Sequence, residues 1–284
     1  MRYLAHSLYL VVILFLLIAT GRAAGPAVAE GYRPAVASQD NLDHFVYLPL
    51  VHRAPNACEA IPGVSYSYLG VEPGQGYDPT KPPPENNPDY NLLLLGYDWV
   101  DEYKGLVFYG GDFDPNAPQF YTMFTDHRTP VFVNTYRAHG WDWENHRPLP
   151  PPEPNPPFSW PVTVLGVGVT PKEIILTPDS GYDIQYGYDA MVLYATEQQI
   201  TLTYTRHDHI RVGYTIYIAG ICVEPSLRTL YNQLNAAGRH DLPVLRGGQP
   251  LGRAWGGEVD IAIRDNAVFG DPRSCKDHWQ GRCP

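Results

Sequence analysis

Beyond its first thirty residues the chain has no apolar run long enough to cross a bilayer, so no membrane span is expected once that leader is gone. Positive charge is scarce: Lys81, Lys104, Lys172 and Lys276 are the lysines, and Lys plus Arg (20) are outnumbered by Asp plus Glu (30). Such a chain has little with which to displace counterions from phosphates, and nucleic acid is excluded as an expected partner. There is no Cys-x-x-Cys pair and no Cys/His spacing of a zinc site. There is no Gly-x-Ser-x-Gly elbow and no phosphate-cradling glycine loop. No fixed-period repeat marks a solenoid or propeller. No metal and no cofactor are expected on these grounds.

What is present points outward from the cell. Arg2 precedes an apolar core from Leu8 to Ile18, and Ala27-Val28-Ala29 has the small residues of a cleavage site. Residues 1–29 are therefore read as a secretory signal peptide. Their loss leaves 255 of 284 residues and moves the formal charge from −10 to −12, because Arg2 and Arg22 go and no acid does. The four cysteines, Cys58, Cys222, Cys275 and Cys283, are an even set in an exported chain and are expected as disulfides. Three pairings are possible. Cys275–Cys283, stapling the tail around His278 and Trp279, with Cys58–Cys222, tying the early chain to the later, is the favoured one.

Tyrosine (21), proline (29) and glycine (26) are abundant. Tyrosine suits half-buried pleated surfaces, and proline and glycine punctuate turns, so the chain reads as mainly β with long loops. Residues 30–44 form a polar lead. A strand-rich region follows at 45–147, with strands at Phe45–Val51, Asn91–Tyr97, Gly105–Gly110 and Thr129–Val133. Asp112-Phe113-Asp114-Pro115-Asn116 lacks the spacing of a calcium loop and reads as an Asx turn. Residues 148–158 are a proline-rich strap, which sets off a β module at 159–284. That module holds strands at Val162–Leu165, Glu173–Leu176, Met191–Tyr194, Gln199–Tyr204 and Tyr214–Ile218. Its single helix carries Leu227, Leu230, Tyr231 and Leu234 at helical spacing, opening at Pro225 or Ser226 and closing at Gly238. From Glu258 to Arg264 the alternation is strict: Val259, Ile261 and Ile263 on one face, Glu258, Asp260, Ala262 and Arg264 on the other. A sandwich or barrel is the expected architecture.

Three stretches of this module carry a resemblance. They are Leu176–Ile184 with its Thr-Pro-Asp-Ser-Gly turn, Gly213–Ile218 followed by Leu230–Leu234, and Val244–Gly252 leading into the strand that ends at Ile263. In order and spacing, residues 160–265 resemble the barrel of the M23 peptidases, the lysostaphin-type or duplicated hybrid motif family. The resemblance implies a zinc ion held by His, Asp and His. Gly166-Val167-Gly168-Val169 stands where the first His and Asp are expected, Gln233 where a catalytic His is expected, and Glu258 and Asp260 where the second His pair is expected. The Tyr231 segment, helical by its spacing, departs from the extended stretch of the family. The resemblance therefore implies the barrel without the peptidase. The whole chain also resembles a family of secreted bacterial proteins that offers no assigned activity to transfer; Ala190–Asp208, Asn235–Arg239, Ala262–Asp265 and Asp271–Ser274 carry that likeness.

Several residues have chemistry to offer. His207 and His209 flank Asp208 at a spacing that could grip a metal, although a solvated loop with Asp208 on nearby amides is the plainer expectation. Glu258 and Asp260 share a strand face and could serve acid–base work, or pair with Arg253 and Arg264 across the sheet. Tyr182, Tyr186, Tyr188, Trp141, Trp143 and Trp255 could stack on sugar rings or simply pack. The expected ligand cleft gathers His207, Asp208, His209, Gln233, Glu258, Asp260, Trp255 and Tyr182. The expected function is that of a secreted, non-catalytic binding or structural protein of the cell envelope, facing cell-wall polysaccharide, peptidoglycan or an envelope protein. The alternative is a divergent extracellular hydrolase, either a zinc peptidase using carboxylates with His207 or His209, or a glycan hydrolase built on Glu258 and Asp260.

Overall fold

A computed structural model describes residues 58–150 and 160–284. The expected signal peptide, polar lead and first strand, and most of the proline-rich strap, lie outside the described residues. The strands are β1 (Ser67–Gly70), β2 (Tyr97–Trp99), β3 (Phe132–Ala138), β4 (Trp141–Asp142), β5 (Arg147–Pro148), β6 (Val164–Gly168), β7 (Ile174–Leu176) and β8 (Ala190–Ala195). They continue as β9 (Gln199–Thr203), β10 (Tyr214–Ala219), β11 (Ile221–Val223), β12 (Asp241–Leu245), β13 (Pro250–Ala254), β14 (Glu258–Asp265) and β15 (Val268–Phe269). The helices are α1 (Leu92–Leu95), α2 (Pro225–Ala236) and α3 (Cys275–His278), and none is long and apolar enough to cross a membrane.

The protein is mainly β, as its composition indicates. One large antiparallel sheet runs in the order β1-β12-β8-β9-β10-β14-β6-β3-β2, with β15 folded back on β14; a smaller sheet runs β11-β13-β7. Strands from both sides of the proline-rich strap share the large sheet, since β3 pairs with β6. The two sheets are continuous through corners. The chain leaves β10 for β11 at Gly220, whose φ is +76° and where a side chain would meet the Glu258 carbonyl. It returns from β13 to β14 through Trp255-Gly256-Gly257.

Strand β14 shows why the core lies where it does. Val259, Ile261 and Ile263 are fully buried in the main core, with Ile216, Ile218 and Leu165 of neighbouring strands. The opposite face is covered too: Ala262 packs with Leu92, Leu95, Tyr97 and Tyr217 in a second apolar layer. Helix α2 forms where its spacing places it. Pro225 occupies its first turn, and the Glu224 carboxylate accepts the N–H groups of Ser226 (2.7 Å) and Leu227 (3.1 Å). Leu227 and Tyr231 are its buried residues.

Two expected strands are not strands. Asn91–Tyr97 opens as a helical turn, because the Asn91 side chain accepts the Leu94 N–H (3.0 Å) and Gly96, at φ +78°, ends the turn before β2 begins. Gly105–Gly110 pairs only at Val107, which bridges to Ser274 in parallel and stays within a glycine-flanked loop. The expectation of one helix is also corrected, since α1 and α3 are additional single turns. Both favoured disulfides are present, Cys58–Cys222 and Cys275–Cys283. Trp279 anchors the tail as expected: it is fully buried, donates to the Pro272 carbonyl (2.8 Å) and packs against Phe120 and Phe132.

Candidate functional site

The acidic face of β14 lies over a strip of bare backbone. Asp260 is paired with Gly166 and Glu258 with Gly168, so the neighbouring strand offers no side chains there. A Cβ on Gly166 would fall inside the Glu258 carboxylate. Glu258 accepts from the Asn134 amide (2.7 Å) and the Tyr136 hydroxyl (2.9 Å); Asp260 accepts from the Tyr97 hydroxyl (2.5 Å). The expected partners Arg253 and Arg264 are absent from this cluster. Arg264 pairs with Asp89 (3.3 Å) and lies over the Phe269 ring, while Arg253 donates to the Lys172 carbonyl. Two carboxyls side by side without a cation cannot both ionise cheaply. Burial, and then the charge of Glu258, push the Asp260 carboxyl up to about 8. Asp260 thus holds a proton at neutral pH, which its otherwise unpartnered Oδ1 can donate to Glu258.

The remaining expected cleft residues scatter. Asp208 is fully buried and held by two guanidinium nitrogens of Arg239, Nη2 (2.7 Å) and Nε (2.8 Å), of which Nη2 also donates to the Leu193 carbonyl. It is a structural ion pair rather than a loop carboxylate on nearby amides. Its neighbours are likewise engaged: His207 meets Glu72 (3.2 Å), and His209 meets Gln75 (2.8 Å), with burial lowering its imidazole pKa. Gln233 is exposed on α2, which packs on β8 and β12; β8 stands three strand spacings, about 14 Å, from β14. Trp255 is buried against the Cys58–Cys222 disulfide. Tyr182 is exposed and donates to Asp114. The expected aromatic platform does not assemble either: Trp141 and Trp143 stack edge to face on the β4–β5 hairpin, and Tyr188 lies under Arg246. Among the described residues, one group could offer a metal three His, Cys, Asp or Glu ligands, namely Cys58, Glu197 and Cys222, and its two sulfurs are already bonded to each other.

Among the described residues an open concavity lies elsewhere, beside the stapled tail. A cleft of about 530 Å³ is lined by Tyr109, Phe113, Trp160, Tyr214 and Phe269. Carboxylates share the lining: Asp112, Asp114, Asp265, Asp271 and Asp277, with Lys276 as the cation. Its frame is rigid. Tyr109 donates to Asp271 (2.7 Å), which Arg273 grips in turn, and Trp160 meets Tyr109 edge to face at 4.5 Å. Buried His278, its imidazole pushed down to about 4 by burial, contacts the Tyr214 ring. Asp114 closes the expected Asx turn on the Asn116 amide (2.8 Å). These residues come from segments separated by up to about 170 positions, and only the tail staple and the Asp112–Asn116 turn hinted at their meeting. No family model matches the chain, and no match is found among curated proteins or solved structures.

Proposed function

We propose that this is an exported binding protein of the cell envelope, recognising a wall glycan or wall peptide through the aromatic cleft at its tail. The observation that carries the reading is the cleft itself. Its volume suits a small ligand or one unit of a polymer, and it sets aromatic side chains beside polar groups, the combination that sugar and peptide recognition needs. The residues that catalysis would use are engaged within the fold. Asp260 lies beneath Tyr97, Asp208 is locked to Arg239, and His207 is paired with Glu72. The two disulfides are compatible with an extracellular setting.

The scaffold reading that goes with this proposal is a relative of the M23 barrel that holds no zinc. The pairing of β6 with β14 supports it, because Gly166–Gly168 and Glu258–Asp260, the two places where the resemblance implies ligands, stand side by side. A hydrolase built on Glu258 and Asp260 is the second reading, favoured by a protonated acid next to a carboxylate acceptor. The test is a titration of purified protein with soluble wall fragments, followed by tryptophan fluorescence and by product analysis. Saturable binding without cleavage, weakened by Trp160→Ala, is expected. Cleavage that disappears in Asp260→Asn would replace binding with hydrolysis. No saturation up to millimolar fragment would remove the wall-ligand reading.

A further inference from the structure

We infer that the tail cleft is a receptor for an organic cation, a primary or quaternary ammonium group carried by the ligand. This rests on the cleft being the binding site. The argument begins with charge. Of the five carboxylates in the lining, Asp271 is neutralised by Arg273 (2.7 Å) and Asp277 by Lys276 (2.7 Å). Among the described residues, Asp112, Asp114 and Asp265 have no ion-pair partner. Asp265 registers the surrounding negative charge: it is raised by burial and then by Asp114 and Asp277. The Tyr214 phenol between them is raised in the same way, by burial and then by Asp114 and Asp265. A cation entering the cleft would relieve that repulsion, whereas a neutral or anionic ligand would leave or worsen it.

The second part of the argument is the aromatic lining. Trp160, Phe113 and Tyr109 line the cleft beside the same carboxylates, and Trp160 and Phe113 keep much of their surface open to solvent. Ring quadrupoles attract ammonium groups, an attraction that a neutral head of the same shape lacks. Lys276 cannot supply the missing charge, because its ammonium is already held by Asp277 and by the Asp112 carbonyl (2.6 Å). The Asp265 end of the cleft is held in place by a tight turn. Asn266 and Ala267 between β14 and β15 both take positive φ, +48° and +69°, which fixes where Asp265 and Phe269 stand. An alanine in that region is a local cost that the surrounding hairpin sustains.

The probes are choline, a glucosamine oligomer with free amines, and the same oligomer fully N-acetylated. Binding is read by tryptophan fluorescence and calorimetry at low and high ionic strength. Choline and the free-amine oligomer should saturate the protein, with affinity falling as salt rises, and the acetylated oligomer should bind at least about fivefold more weakly. Asp265→Asn and Trp160→Ala should each weaken the cationic probes roughly fivefold, with Trp160→Phe retaining most of the affinity and an unchanged thermal midpoint guarding against misfolding. Equal binding of the acetylated and free-amine oligomers, or an Asp265→Asn protein with undiminished affinity for choline, would overturn the cation assignment while leaving a glycan-binding protein. Choline binding with neither oligomer bound would keep the cation site and dispose of the wall-glycan reading. No binding of any probe would overturn both.

Discussion

Asp260 is a residue whose chemistry departs far from its unfolded behaviour. In the folded protein it keeps its proton up to about pH 8, whereas in an unfolded chain it releases it near pH 4. Between those values the folded state binds the extra proton, so stability falls as pH rises from about 4 to about 8. Asparagine at this position reproduces the neutral acid: its amide oxygen can accept from Tyr97 and its amide nitrogen can donate to Glu258. Asp260→Asn should therefore match the parent near pH 4 and exceed it at pH 8 to 9 by about 2 kcal/mol or more, read from urea midpoints across the range. A parallel pH profile for the two proteins would mean that Asp260 is ionised in the fold. The strand alternation made it legible that Glu258 and Asp260 share a face. That the partners would be Tyr97, Asn134 and Tyr136 rather than Arg253 and Arg264 was not legible, because those partners come from strands some 120 to 160 positions away.

Strands β6 and β14 form the element whose sequence is most constrained by its neighbour. Gly166 is bare because the Glu258 carboxylate lies across it, and the Asn134 side chain closes the same space. Gly166→Ala should cost about 1 to 3 kcal/mol by overpacking. Glu258→Ala should recover part of that loss, so a double-mutant cycle would show a coupling of about 1 kcal/mol. Additive losses in thermal or urea unfolding would place the Glu258 side chain elsewhere. The element scale is also where local signals lost to local chemistry. Four consecutive leucines after Asn91 satisfy a strand pattern as well as a helical turn, and the Asn91 cap with Gly96 decided for the turn. Helix α2 carried its own proof, since its apolar spacing, Pro225 and Gly238 all agree.

Across the whole molecule the two disulfides do different work. Cys58–Cys222 spans 164 positions, whereas Cys275–Cys283 spans 8. The loop-entropy model makes removal of the long bridge cost about 5 kcal/mol and of the short one about 2.5 kcal/mol. The paired serine variants, Cys58→Ser with Cys222→Ser and Cys275→Ser with Cys283→Ser, should show that order in denaturant midpoints. The short bridge should matter more for ligand binding, because it holds the segment with Lys276, Asp277 and His278 in the cleft lining. The reverse order in stability would indicate that the long bridge joins parts already held by packing. The sequence by itself determined the β class, the long helix and the inward face of β14, because each depends on short-range periodicity or composition, and it narrowed the cysteine partners to three pairings, of which the fold chose one. Only the tertiary structure decided that Asp208 belongs to Arg239, that the outer face of β14 is roofed by Tyr97 and Leu92, and that a cleft opens between Trp160, Tyr214 and the tail. Those outcomes depend on which distant strands become neighbours, and in an antiparallel sheet that order is set by the packing of the whole chain rather than by any one segment.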